Sequence, residues 1–362
     1  MEEVSVCNYT YQDVSDGLAF DNDPCGIASL FNRPTQKAFL DNPFLIDKND
    51  ICLYLRKVNN VYAGIAMAFP TKLKAGEVIV DATSGSTLEV YEKFRKLELG
   101  SDLMTAPIYN KKNKILIFAG LSDMALPLYK ILRYSIFEYP RAMQLRSIKP
   151  FLEGRGFSSI PLVFFSSVID AFIKPVIWIS YLGSYLKKRR YRIEKVKTVP
   201  VWVTDIVEND GHKYAEYHNQ AWLQWNMDNN LHAEKGDIQS FYCVYKQNQP
   251  FGFFMTKERY REEAGGALRN AKIGSIMEWG SKDENILTEA DIYTLALSTF
   301  GRIDVLEFAS VNNRVLKRMR KYGFIHHGFA HIAFKDLTKE FKDAKDINLW
   351  RIRFGYADVL LT

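Results

Sequence analysis

The sequence predicts an α/β (α+β) protein of two tandem domains, each with a mixed central β-sheet flanked by helices. The first observation is a repeat, because three short windows recur in the same order about 190 residues later. The second is the pattern inside each copy, where strand-like and helix-like apolar periods alternate. The third is composition: 47% of the 362 residues are hydrophobic, which is typical of a folded chain long enough for two cores.

The repeat windows recur at offsets of 188, 189 and 190 residues. The matched residues are Tyr54, Asn60, Gly64 and Met67 with Tyr242, Asn248, Gly252 and Met255; Gly85, Ser86, Glu89 and Asp102 with Gly274, Ser275, Glu278 and Asp291; and Leu116, Phe118, Ala119 and Leu126 with Leu306, Phe308, Ala309 and Leu316. Since each window alone is a weak match, the inference rests on their shared order.

Each copy follows one predicted element order: β-hairpin, strand, helix, strand, helix, strand. In the first copy, Asn59 and Asn60 form the hairpin turn, and the last strand lies near 141–145. The second copy ends with a strand near 328–334. We therefore predict an N-terminal domain at 1–146, a connector at 147–197 and a C-terminal domain at 198–362.

The connector contains a largely apolar stretch at 160–186, followed by the basic run 187–190. Asp170, Lys174 and two prolines interrupt it, so no uncharged run reaches the roughly 18–20 residues of a spanning helix. One alternative is a linker helix or hairpin packed between the domains. The other is an interfacial helical segment at 160–190 that contacts anionic lipid headgroups as a peripheral membrane element.

Charge and cysteine usage limit the classes of partner and compartment. The net charge of +6 suits an anionic ligand or membrane surface, and we expect no DNA partner. None of the 4 cysteines forms a Cys-x-x-Cys pair or lies at metal spacing from a histidine, so we expect no metal and a reducing compartment. Residues 1–22 contain no apolar signal-peptide core. We predict a cytoplasmic protein, peripheral at the inner face of the membrane if the connector binds lipid.

The segment 90–101 joins the end of a strand to the start of a helix. Backbone N–H groups at a helix N-terminus favour an anionic phosphate. Gly100 permits close approach of the backbone, and Arg95 and Lys96 add positive charge. The alternative is an ordinary strand–helix turn with solvated basic residues.

This segment resembles the pyrophosphate loop of the GNAT superfamily of acyl-CoA-dependent N-acyltransferases, Arg/Gln-x-x-Gly-x-Gly/Ala. Arg95, Gly100 and Ser101 fall at matching places, whereas Glu98 takes the position of the first glycine. Glu98 in place of this glycine affects the backbone conformation that the loop can adopt.

A second motif is similar to the helix of the same family, Asn-x-x-Ala-x-x-x-Tyr-x-x-x-Gly-Phe. Ala125 and Tyr129 are kept, while Ser122 replaces the asparagine and Arg133 the glycine. The resemblance covers both copies, roughly 20–146 and 198–336.

The resemblance implies that an acceptor amine attacks the thioester of acetyl-CoA or another acyl-CoA, which is the co-substrate. Glu89 is the implied base and Tyr129 the acid that protonates the leaving thiolate. The Val90 N–H polarises the carbonyl. The implied cofactor-binding residues are Val90, Arg95, Lys96, Leu99, Gly100, Ser101 and Ser122.

The two copies differ at this loop. At an offset of 189, Arg95 aligns with Glu284 and Gly100 with Glu289, so the second loop is acidic. Carboxylates there would repel a pyrophosphate. We therefore expect one acyl-CoA site, in the first copy.

The acceptor is expected to be an amine on a small molecule, a peptide or a sugar. The second copy offers Tyr214, His218, Trp222 and Trp225 on one helical stripe, together with Glu278, either as the wall of an acceptor cleft or as core. Homodimer formation stays open. Two other functions also stay open: a FemX-like aminoacyltransferase that uses charged tRNA, and a non-catalytic scaffold or sensor.

Overall fold

The computed structural model describes residues 3–21, 23–157, 159–233, 236–264 and 268–360, with only the backbone described at 159–163, 358 and 360. The outermost residues of the predicted domains 1–146 and 198–362, and Ser158 of the predicted connector, lie outside the described residues.

The first half has the predicted order, preceded by a strand and two helices. Asn59 and Asn60 both have positive φ, which is the backbone of a two-residue hairpin turn. The elements are β1 (Val4–Thr10), α1 (Tyr11–Ser15), α2 (Arg33–Leu40), β2 (Ile51–Val58), β3 (Val61–Ala75), β4 (Val78–Val90), α3 (Leu99–Tyr109), β5 (Ile115–Ala119), α4 (Leu126–Ile131) and β6 (Ser135–Leu145).

The second half repeats this order after two connecting helices, with one additional short strand. The connecting helices are α5 (Lys149–Gly154) and α6 (Ser159–Lys188). The elements that follow are β7 (Arg192–Val196), α7 (Trp202–Glu208), β8 (Tyr214–Glu216), α8 (Gln220–Asp228), β9 (Ile238–Lys246), β10 (Gln249–Ala264), β11 (Leu268–Ser281), α9 (Glu289–Ala296), β12 (Val305–Ala309), α10 (Asn313–Arg320) and β13 (Ile325–Asp336).

The strands form one continuous sheet, in the order β1-β2-β3-β4-β5-β13-β6-β12-β11-β10-β9-β7, with β8 beside β3. The halves exchange their last strands: β13 pairs with β5 of the first half, and β6 pairs with β12 of the second. The expectation that each copy is closed by its own last strand is therefore wrong. Because β6 also pairs with β13, the two halves share one hydrogen-bonded ladder at the centre.

Side chains alternate between two faces of this sheet. On one face, helices α3 and α4 cover the first half, and α9 and α10 cover the second. On the other face, α1, α2, α7, α8 and the C-terminal segment 350–357 form one core that spans both halves. The largest hydrophobic cluster therefore joins the halves.

Candidate functional site

Strand pairing corrects the register of the repeat. Thr83 of β4 pairs with Leu116, and Gly274 of β11 pairs with Leu306. Since Leu116 and Leu306 match between the halves, Thr83 corresponds to Gly274, an offset of 274 − 83 = 191. The sequence alignment of Glu89 with Glu278 is therefore two residues out of register.

In the first half, β4 and β5 separate after a short parallel ladder that ends at Gly85 and Phe118. Just beyond, β4 carries a bulge at Thr87, whose φ is +43°. The ring of Phe118 lies against Gly85 so closely that a Cβ there would come within 1.8 Å of it. Beyond the bulge, β4 ends at Val90 and the chain continues through the segment 91–98 to the start of α3.

The start of α3 has the backbone that the family's first glycine would supply. Glu98 adopts φ +56° and ψ +18°, the left-handed conformation that glycine favours. No side chain among the described residues caps this helix end; instead Ser101 donates its hydroxyl to the Glu98 carbonyl at 2.7 Å. A Cβ on Gly100 would meet only Val90, at 3.8 Å. The departure at Glu98 therefore leaves an exposed, open helix N-terminus.

Glu89, Arg95 and Lys96 lie around this opening. Leu88 and Val90 pack towards α3, so Glu89 projects to the opposite face of the sheet. Its carboxylate lies 3.4 Å from the Arg95 guanidinium, and each side chain is 49% exposed. Lys96 is exposed as well. The predicted base Glu89 and the predicted phosphate-binding Arg95 are thus brought together, whereas Leu99 is buried at the first position of α3.

Tyr129 lies in an aromatic cluster on the helical face. Its ring is 5.4 Å from that of Phe118 and 5.0 Å from that of Tyr134, and the residue is 3% exposed. Ser122 is exposed in the turn before α4. The corresponding cluster of the second half is Phe308, Met319 and Phe324, which lacks both phenol groups.

In the second half, the start of α9 is capped and buried. Thr288 accepts a hydrogen bond from the Asp291 N–H at 3.2 Å, which is an ordinary N-cap. Helix α3 starts at Leu99 and helix α9 at Glu289, so Gly100 corresponds to Ala290 and Arg95 to Asn285. The expected pairs, Gly100 with Glu289 and Arg95 with Glu284, are therefore wrong. Burial raises the pKa of Glu289 to about 7. The hydrogen bond from Ser310 and the charge of Arg351 act in the opposite direction and lower this pKa, but burial has the larger effect.

The C-terminal segment fills this second junction with Arg351. The guanidinium pairs with Asp210 and Glu284 and lies 4.2 Å from the centre of the Trp279 ring. Burial opposes ionisation of Asp210, but the hydrogen bond from His212 and the charges of Arg351 and Arg353 lower its pKa. Asp210, His212 and Glu284 form a potential metal-ligand group within the described residues, yet the protein's own arginine already supplies the positive charge.

The acceptor-side candidates lie in the shared core. Tyr214 belongs to β8 and His218 precedes α8, so the expectation that they share one helical stripe with Trp222 and Trp225 is wrong. His218 places its Nδ1 2.9 Å from Glu278 and its Nε2 3.1 Å from Glu216, and its ring stacks on Trp222 at 3.5 Å. Arg353 pairs with Glu278 at 3.2 Å. His218, Trp222 and Glu278 are 0% exposed and Trp225 is 4% exposed, so these four residues line no open cleft in this structure. Glu278 corresponds to Thr87 and not to Glu89.

Sequence reasoning missed Arg351 and Arg353. Their signal was an alternation of cations with apolar residues in the segment from Trp350 to Phe354, which is typical of an extended chain with two different sides.

Several solved structures have a fold similar to that of this chain. N-myristoyltransferase from Saccharomyces cerevisiae with bound myristoyl-CoA matches with a TM-score of 0.56 at 12% identity, over 92% of this chain and 82% of that one. A GCN5-related N-acetyltransferase from Anabaena variabilis matches at 0.54 and 9% identity, over 92% and 73%. Eis1 from Mycobacterium abscessus matches at 0.50 and 12%, over 95% and 76%.

No protein-family model and no curated protein matches the sequence. The similarity is therefore one of structure, and it extends over more than nine-tenths of the chain. This structural similarity agrees with the two sequence motifs at 95–101 and 122–129. The chain has the fold of the GNAT superfamily of acyl-CoA N-acyltransferases.

Proposed function

We propose that this protein is an N-acyltransferase that moves an acetyl or longer acyl group from acyl-CoA to an amine, with its single working site in the first half. The observation that carries the proposal is the open, uncapped N-terminus of α3 beside the separating strands β4 and β5. The corresponding position in the second half is capped by Thr288 and covered by Arg351.

The donor would bind through its pyrophosphate at the start of α3. The Ser101 N–H already donates to the Glu98 carbonyl at 3.1 Å, so the N–H groups of Leu99 and Gly100 would serve the anion, which the positive end of the helix dipole also favours. Gly100 leaves room for the phosphates, while Arg95 and Lys96 neutralise them. Glu89 already pairs with the Arg95 guanidinium. Because this pairing restricts the Arg95 side chain in the free protein, less conformational entropy is lost when the donor binds.

For the transfer step, we expect the strand separation at Thr87 to admit the thioester. Glu89 would accept the proton of the acceptor amine, directly or through water, as the amine attacks the carbonyl carbon. Tyr129 would donate its proton to the departing thiolate, which requires its hydroxyl to face the sulfur from within the aromatic cluster. The buried site of His218 and Glu278 would take part on the acceptor side only if the shared core opens.

Binding of acyl-CoA tests this function. Acetyl-CoA and myristoyl-CoA are titrated against the whole chain, with melting temperature and calorimetry as readouts, because a ligand that binds only the native state stabilises it. Arg95→Glu should weaken binding about tenfold or more, since it replaces a charge-assisted contact with repulsion. Lys282→Glu, the same charge change on the exposed loop before α9, should leave affinity unchanged.

The alternatives give different results. No change in melting temperature with millimolar acyl-CoA would contradict the proposal and favour a scaffold or sensor. Tight binding of tRNA that falls steeply with salt would favour an aminoacyltransferase that uses charged tRNA. If binding is found, Glu89→Gln and Tyr129→Phe should lower the rate of CoA release with an amine acceptor while leaving acyl-CoA affinity within a few-fold.

A further inference from the structure

Helix α6 has its polar side buried and its apolar side exposed. Among the described side chains of α6, the buried ones are Ser166, Ser180 and Ser184, at 6%, 0% and 0% exposure. On the opposite side, six apolar residues at helical spacing are exposed by 39–78%, namely Phe164, Val168, Phe172, Ile179, Leu182 and Leu186. A surface helix of a soluble domain has the reverse arrangement, and an exposed apolar face of this size is typical of a surface that binds a membrane or a partner.

The buried side of α6 is fixed to the protein from the middle of the helix to its C-terminal end. Asp170 accepts a hydrogen bond from the Ile148 N–H at 2.8 Å near the middle. Ser180 donates to the Tyr322 carbonyl at 3.2 Å, and Ser184 donates to the Leu295 carbonyl at 3.0 Å near the other end. The contact at Gly183 is so close that a Cβ there would lie 2.6 Å from the Tyr322 ring.

These contacts determine how α6 can meet a membrane. The segment Phe164–Lys188 is long and apolar enough to cross one by length and composition, with 11% of its most apolar window buried. A helix held against α9 and the end of α10 at several points cannot enter the bilayer upright without breaking those hydrogen bonds. It can lie in the interfacial plane, with its apolar side immersed and its serines on the protein.

The charges around this face complement an anionic surface. Lys188 ends the helix and Arg189 and Arg190 follow it directly; all three are exposed, and Lys174 is exposed on its flank. The acidic residue of the described helix, Asp170, points inward. Trp178 and Tyr185, 64% and 61% exposed, are side chains suited to the boundary between headgroups and acyl chains.

We propose that α6 is a docking helix that lies in the plane of an anionic membrane, through the exposed face centred on Phe172, Ile179 and Leu182 and the basic residues 188–190. This surface is separate from the acyl-CoA site proposed above, and it stands whether or not that site is active. It would hold the enzyme at a lipid surface without a spanning segment.

Vesicle binding tests the proposal with the full chain. The protein is sedimented with phosphatidylcholine vesicles, with and without phosphatidylglycerol. We expect binding at least tenfold tighter to the anionic vesicles. The double variant Phe172→Glu/Ile179→Glu should weaken that binding roughly a hundredfold, because both side chains would bring charge into the acyl boundary.

The matched control is Ile46→Glu/Val201→Glu, since these apolar residues are 80% and 78% exposed and lie outside α6. The control should bind vesicles like the original chain, and both double variants should keep its melting temperature. Trp178 gives a second readout: its emission should shift to shorter wavelength with anionic vesicles, and Trp178→Phe should remove that shift while binding persists.

Three results would overturn the proposal. Equal loss of binding in the control variant would show a general charge effect. If the protein stays in the vesicle membrane after a wash with alkaline carbonate, which removes peripheral proteins, α6 would be a spanning helix. A dimer in solution that Phe172→Glu/Ile179→Glu dissociates, without vesicle binding by the original chain, would show that a second copy covers this face.

Discussion

The two halves of this protein differ most at one equivalent place, the junction between a sheet strand and the helix that follows it. The α3 junction is exposed, its helix starts at a left-handed Glu98, and Arg95 stands beside it. The α9 junction starts at a capping Thr288 and is covered by Arg351 from the C-terminal segment. One backbone arrangement is thus open in one half and closed by the chain itself in the other.

Under the proposed function, this difference indicates why the second half would not bind a phosphate. Arg351 pairs with Glu284 of the second loop, so the charge of this carboxylate is a smaller obstacle than the arginine and Trp279 that occupy the space. One N–H at the helix N-terminus is also satisfied, because the Thr288 side chain accepts from Asp291. Burial and capping, more than loop charge, distinguish the halves.

The largest expected effect is on Arg351. Arg351→Met removes a fully buried guanidinium from Asp210 and Glu284, and leaves the buried Asp210 with only His212 and the more distant Arg353. Breaking a buried ion pair from one side costs about 3–5 kcal/mol, so the free energy of unfolding should fall by that amount. Chemical denaturation measures it.

The matched substitution in the open half is Arg95→Met, where the side chain is 49% exposed. An exposed pair contributes about 0–1 kcal/mol, so this variant should unfold nearly like the original chain. Equal losses from the two substitutions would mean that the junctions are equally closed, and the comparison would fail.

The next effect is the pH dependence that Glu289 confers. Its pKa is raised from 4.5 to about 7, so between these values the folded state binds more protons than the unfolded state. Stability from this group is therefore present below pH 4.5 and is lost as pH rises to about 7, by an amount on the order of 3 kcal/mol.

Glu289→Gln should remove this dependence and make the protein more stable than the original chain at pH 8. The difference between the two unfolding free energies isolates this group from other titrating residues. Because Leu99 holds the equivalent position in α3, Leu99→Gln is not expected to change the pH dependence. A difference that does not vary between pH 4.5 and 7 would show that Glu289 is ionised in the fold.

Local patterns predicted most of the fold. Periodicity and the Asn59-Asn60 turn gave the strands and helices of both halves in their correct order, because these signals depend on neighbours within a few residues. The exchange of β6 and β13 could not be predicted that way. Each last strand has the same apolar alternation whichever half it joins, so only the three-dimensional arrangement decides its partner.

The first-half site was predicted better than the second. Arg95, Lys96 and Gly100 lie together because they are close in sequence around one helix start. Arg351 reaches the second junction from more than 60 residues downstream of Glu284, and no spacing rule connects the two. The slip of two residues between Glu89 and Glu278 came from identical residues at the wrong register, since strand pairing gives one offset of 191 both before and after the bulges of β4 and β11.

A smaller effect is expected where a glycine meets an aromatic ring. Gly85→Ala would force the Phe118 ring away from β4, because the added Cβ would lie 1.8 Å from it. Overpacking of this kind costs about 1–3 kcal/mol. Gly100→Ala meets open space and should instead stabilise α3 by up to about 1 kcal/mol. Thermal unfolding of the pair compares them, and destabilisation by Gly100→Ala would show that α3 is not open at its start.

The smallest effects concern the two helix starts themselves. Glu98→Gly relieves a left-handed backbone and should raise the free energy of unfolding by up to about 1 kcal/mol. Thr288→Ala removes the N-cap of α9 and should lower it by about 1 kcal/mol. Glu98→Gly also takes a carboxylate away from the proposed phosphate position, so it should tighten acyl-CoA binding, whereas Thr288→Ala should not affect it. Because the two variants move stability in opposite directions at equivalent positions, a gain of affinity in Glu98→Gly alone would assign the anion to α3, and a gain in neither would place it elsewhere.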